Sequence, residues 1–181
     1  GIGKSELAKA YAKEHKKEYT NILYLSYSGS LKKDITDLPF ADDRPTDSEI
    51  DLFRKHNRFL RTLKSDTLII IDNFDTLPED DNFLPVVLKY RCRILFTTRS
   101  IFSGQAGLEL TEIEHSEDLF RLVSCFYPDA EKCRPLIEEI LEVIHRHTMC
   151  TELVARLLAK GLLPPDQVLA QLKKEHASFH D

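Results

Sequence analysis

The chain has 181 residues, 42% of them apolar and 30% charged, with a net charge of −5. That apolar share is enough to bury a core and speaks against a disordered segment. The mild acidity speaks against direct nucleic-acid binding, which normally shows a basic stripe, and no apolar run approaches the roughly 18 to 20 residues of a membrane-spanning helix.

The four cysteines, Cys92, Cys125, Cys133 and Cys150, form no Cys-x-x-Cys pair, and no signal peptide is evident. A reduced, cytoplasmic setting is the expectation. The chain opens on Gly1-Ile2-Gly3-Lys4-Ser5 without an initiator methionine and reads as an excerpt with its upstream part removed.

In chain order, residues 5–19 place Leu7, Ala8, Tyr11 and Ala12 among Lys and Glu, the pattern of a helix with one apolar side. Residues 21–27 read as a short strand and 28–46, rich in Gly, Ser, Pro and Asp, as loop. Thr46-Asp47-Ser48-Glu49 predicts a capping box, with Thr46 as cap, ahead of a helix carrying Ile50, Phe53, Phe59, Leu60 and Leu63. Thr67 to Ile71 is a β-branched and Leu run, expected as a strand buried on both faces and ending at Asp72. A helix-like stretch covers 83–90, a further strand 94–98, and Leu108 to Leu110 reads as one more short strand. From about residue 115 the pattern turns helical throughout, with helices around Leu119 to Phe126, Leu136 to Ile144, Leu153 to Leu158 and Val168 to Leu172. The expected organisation is an α/β domain over 1–113, with a parallel sheet flanked by helices, and a small all-helical subdomain over 114–181.

Three segments carry chemistry. Gly1-x-Gly3-Lys4-Ser5 matches the back half of a Gly-x-x-x-x-Gly-Lys-Ser phosphate loop. Backbone amides converge on a phosphate only where glycine lets the chain curl tightly, and the helix that follows aims its positive end at the anion. Lys4 would reach the β- and γ-phosphates and the Ser5 hydroxyl would ligate Mg²⁺. Alone, these residues also fit a glycine-rich helix start with an exposed lysine. Asp72, at the tip of a buried strand, supplies the carboxylate that a Mg²⁺-nucleotide site needs, acting through a metal-bound water. Thr97-Thr98-Arg99 ends the next strand, where Arg99 could sense a γ-phosphate with its planar fork of donors, or pair with a surface acid.

The trio Gly1-Ile2-Gly3-Lys4-Ser5, Ile69-Ile70-Ile71-Asp72-Asn73 and Leu95-Phe96-Thr97-Thr98-Arg99-Ser100 resembles the NB-ARC-type domain of STAND P-loop NTPases, signalling ATPases that include many bacterial regulators. His147-Thr148-Met149-Cys150-Thr151-Glu152-Leu153 resembles that family's helix start in the helical subdomain, with Thr148 in place of the common proline. The resemblance covers essentially the whole chain and implies a P-loop fold whose first strand is missing from the excerpt. It implies an ATP/ADP switch with Mg²⁺ and slow hydrolysis. Gly1, Ile2, Gly3, Lys4, Ser5, Glu6, His147 and Thr148 would bind nucleotide, Ser5 and Asp72 the metal, and Asp72, Asn73 and Arg99 would act in catalysis. It also implies partners: a winged helix, sensor repeats and an effector on the same polypeptide, and a homo-oligomer when ATP is bound. Asn73 stands where many members carry a second acid, and an amide cannot take a proton from the attacking water. A nucleotide-stabilised scaffold with negligible turnover is therefore the alternative.

A metal site from His145, His147 and Cys150 is weaker, because residues two apart on a helix do not face each other. No Asn-Lys-x-Asp segment for guanine is present.

Overall fold

Parallel strands need long crossovers, and the spacing of the apolar runs provides them. A computed structural model describes residues 3–178. Helix α1 (Lys4–Glu14) precedes strand β1 (Asn21–Ser26). Helices α2 (Leu31–Thr36) and α3 (Glu49–Leu60) lead to β2 (Thr67–Asp72), and α4 (Leu84–Val87) to β3 (Arg93–Phe96). The three strands form one parallel sheet in the order β1-β2-β3. Helices α5 (Ser116–Phe126), α6 (Arg134–Val143), α7 (Thr148–Ala159) and α8 (Pro165–Ser178) follow.

All of β2 is buried, as its unbroken apolar run predicts. Its side chains alternate between two cores. Leu68 and Ile70 pack with Ala8 and Tyr19 on the side covered by α1. Ile69 and Ile71 pack with Leu31, Ile35, Leu60, Leu84 and Val87 on the side covered by α2, α3 and α4. The molecule is thus a mixed α/β protein with a parallel sheet between helices.

The chain divides into two compact units, one spanning Lys4–Leu108 and the other running on from Glu109 and taking in Gly3. In the second unit α5 packs on α7 and α6 on α8. Its own core holds Leu119, Val123, Ile137, Ile140, Ala155, Leu158 and Val168, and Ile113 packs against it. The division therefore falls ahead of Ile113 rather than after it.

Several expectations are corrected. Residues 31–36 are helix, not loop. Leu31, Asp34 and Ile35 are buried at helical spacing, and the Ser30 side chain accepts from the Lys33 amide. A short amphipathic turn carries too few residues to show a period, so its polar flanks dominated the reading. The cap of α3 is Ser48, not Thr46: the Ser48 hydroxyl accepts from the Asp51 amide at 3.2 Å and donates to the Asp51 carboxylate at 2.6 Å. The N-cap therefore lies two residues later. Ile50 and Phe59 face solvent, 61% and 49% exposed, while His56 takes the buried position on α3. The helix expected over 83–90 shrinks to Leu84–Val87. The strand expected through Thr98 ends at Phe96, and 108–110 forms no strand.

Candidate functional site

Strand register brings the expected site residues of the first unit together. Asp72 ends β2 opposite Ser26, and Ile71 pairs with Phe96, so Thr97 falls beside Asp72. The main chain extends the ladder past the strand ends. The Thr97 amide donates to the Ile71 carbonyl at 3.0 Å, and the Phe74 amide donates to the Thr97 carbonyl at 2.9 Å. Asp72 shares the sheet face of Leu68 and Ile70, the face that α1 covers.

The Asp72 carboxylate is 5% exposed and lies in a cage of hydroxyls. Thr97 Oγ1 donates to Oδ1 at 2.5 Å and the Tyr24 hydroxyl donates to Oδ2 at 2.5 Å. The Ser5 hydroxyl and the Lys9 charge act on the same group. Burial alone pushes the Asp72 carboxyl up, but these donors and Lys9 outweigh it and hold it below its ordinary value. Tyr24 responds in the opposite sense: burial, then its bond to Asp72, pushes the phenol up to about 12. Lys9 also pairs with Glu6 at 2.7 Å on the exposed side of α1.

Gly3, ahead of α1, has φ +92, a region that L side chains rarely adopt. Lys4 and Ser5 open the first turn of α1, where backbone N–H groups lack intrahelical partners. Gly1 and Ile2, expected in the same loop, lie outside the described residues.

Asn73 has φ +58 and donates its backbone N–H to Thr97 Oγ1 at 2.9 Å. Its side chain is exposed, and the chain turns sharply after Asp72. Arg99 pairs with Asp75 at 3.3 Å and is 78% exposed. Asp75, two residues on from Asn73, is held by Arg99.

In the helical unit, His147 and Thr148 gather on Glu112. Glu112 caps the start of α7, its Oε2 accepting from the Thr148 amide at 3.0 Å and from the Thr148 hydroxyl at 2.5 Å. The Ile113 amide donates to Thr148 Oγ1 at 3.3 Å, and His147 Nε2 lies 3.6 Å from Glu112 Oε1. Hydrogen bonds from the Thr148 side chain and backbone hold the Glu112 carboxyl below its ordinary value, with a smaller pull from His147.

Sequence reasoning missed Tyr24, the role of Thr97 as an Asp72 partner, and Glu112. Alternation along β1 puts Tyr24 on the face of Ser26, beside Asp72, but that depends on a strand register no single segment reveals. Among the described residues no group of three or more His, Cys, Asp or Glu is placed to hold a metal. No protein-family model and no curated protein matches the sequence.

Proposed function

We propose that the chain is the nucleotide-binding core of an ATP/ADP switch of the STAND type. The observation that carries this reading is the buried Asp72 carboxylate at the tip of β2, fixed by Thr97 and Tyr24 on the sheet face that α1 covers, with the Ser5 hydroxyl at the start of α1 acting on it. A Mg²⁺-nucleotide site needs a phosphate-loop hydroxyl and a strand-end carboxylate side by side. The donor set fits that group. A carboxylate offers about four lone-pair sites, and the hydroxyls of Thr97, Tyr24 and Ser5 leave room for a metal-bound water.

When bound, Mg²⁺ would neutralise phosphate charge. The chain's own residues do the rest. Lys4 and the free amides of the first α1 turn hold phosphate oxygens, beside the exposed Glu6. Thr97 and Tyr24 fix the Asp72 carboxylate in one orientation. Arg99 exchanges Asp75 for the γ-phosphate. In the same reading the protein is cytoplasmic, and further domains of the polypeptide carry signal and output.

Asn73 favours a second reading, a scaffold that retains its nucleotide with negligible turnover. Its amide cannot accept a proton from an attacking water, and its φ of +58 is one that asparagine tolerates well. Asn73→Asp should raise turnover if the site is set for retention.

Calorimetry of ATP and ADP binding to the chain and to Lys4→Ala tests the main reading. Lys4→Ala should weaken both nucleotides by at least about tenfold, the effect of removing a charge-assisted contact. Undiminished binding by the variant would overturn the phosphate-loop assignment. Arg99→Ala should weaken ATP more than ADP.

A further inference from the structure

Helix α3 buries one side and leaves the other unanswered. His56 and Leu60 are buried. Residues 50, 54, 58 and 61 recur on the opposite face at helical spacing. There Ile50 is 61% exposed, followed by Arg54, Arg58 and Arg61, all exposed. None of the three guanidinium groups has a carboxylate partner among the described residues. Arg99, Arg121, Arg134, Arg146 and Arg156 each have one, while Arg44, Arg91 and Arg93, scattered along the chain, also lack one among the described residues. A surface depression of about 430 Å³ lies beside them, lined by Phe53, Arg54, Asn57, Arg58, Arg61 and Thr62.

The helix dipole accounts for a cation in the last turn, where Arg58 stands. It does not account for Arg54 a turn earlier, nor for three like charges three and four residues apart, which repel one another in the free chain. A complementary surface would relieve that repulsion.

We propose that this face of α3 docks an acidic amphipathic helix of a partner protein. The spacing of Arg54, Arg58 and Arg61 is that of successive acids along one face of a helix lying beside α3, and Ile50 offers the apolar grip beside the charges. The basic stripe runs about 10 Å, or two turns. Asp42 and Asp43 are taken up by Lys55 and His56, but Glu49 and Asp51 open α3 and Asp47 precedes it, so the N-terminal flank of the stripe is acidic. A nucleic acid extending past the stripe would run into those carboxylates, whereas a short acidic segment ends before them. The inference is independent of the nucleotide reading.

The probe is a fluorescein-labelled synthetic helical peptide with Glu at i, i+4 and i+7 and Leu one turn before the first Glu. Its control has the same composition in scrambled order. Anisotropy should show the patterned peptide binding the chain, less tightly as salt rises, and on the order of tenfold less tightly to Arg54→Gln/Arg58→Gln/Arg61→Gln. Ile50→Ser should also weaken it, an effect that pure charge attraction does not give. Circular dichroism checks that both variants stay folded, as their exposed positions lead one to expect. Equal binding of the scrambled peptide, no loss in the arginine variant, or tighter arginine-dependent binding of poly-uridylate would overturn the proposal. So would an arginine-dependent dimer of the chain itself with no peptide bound.

Discussion

The acidity of Asp72 is set by two opposed effects on one buried group. Removal from water favours the neutral acid, and the hydroxyls of Thr97, Tyr24 and Ser5 favour the anion and prevail. A carboxyl held below its unfolded value contributes stability above that value, near 3.8, and the contribution is lost as pH falls through the folded value. Thr97→Val removes the strongest of the lowering contacts and the acceptor of the Asn73 amide. It should cost about 2 kcal/mol at neutral pH, the scale of a hydrogen bond to a charged group. Carbon-detected titration should show the Asp72 carboxyl moving up, with acid unfolding starting at higher pH. Thr67 is the converse case: its buried hydroxyl has no hydrogen-bond partner among the described residues. Thr67→Val should therefore stabilise the chain by about 1 kcal/mol in urea unfolding, because it removes an unpaired polar group and keeps the shape.

At the scale of elements, legibility followed how many residues share a pattern. The five-residue run of β2 and the long helices α1 and α5 declared themselves, because periodicity accumulates over several turns or a whole strand. Two-turn elements did not: α2 hid inside a polar stretch, and the cap expected at Thr46 formed at Ser48. Ser48→Ala should cost about 1 kcal/mol of stability and Thr46→Ala close to nothing, so paired chemical denaturation curves separate the two caps. The strand tips at Asp72 and Thr97 were legible as site residues because a buried strand has to surface somewhere, and polar residues mark the place. Tyr24 and Glu112 were not, because each acts across a register or a chain separation that no local motif encodes.

At the scale of the molecule, two cores share one chain. Between β3 and α5, residues 97–115 form no helix or strand. Ile101 and Leu108 are 92% and 78% exposed there, while Glu112 and Ile113 are tied to the helical unit. Exposed, unpaired backbone is where proteases act first. Limited chymotrypsin digestion followed by mass spectrometry should show the first cut at Leu108, leaving residues 109 onward as one fragment. First cuts inside α5 to α8 would contradict the division.

The full burial of β2 has a cost while the chain is unfolded. Leu68 to Ile71 is a short, uncharged, β-prone segment of the kind that nucleates cross-strand association. Its neighbours are parallel, so each pairing must wait for a long loop to close. Meanwhile the segment is open to other copies. Charged gatekeepers flank it: Lys64 and Asp66 on one side, Asp72 on the other. Asp72 thus discourages aggregation before folding with the same carboxylate that it holds caged by hydroxyls afterwards.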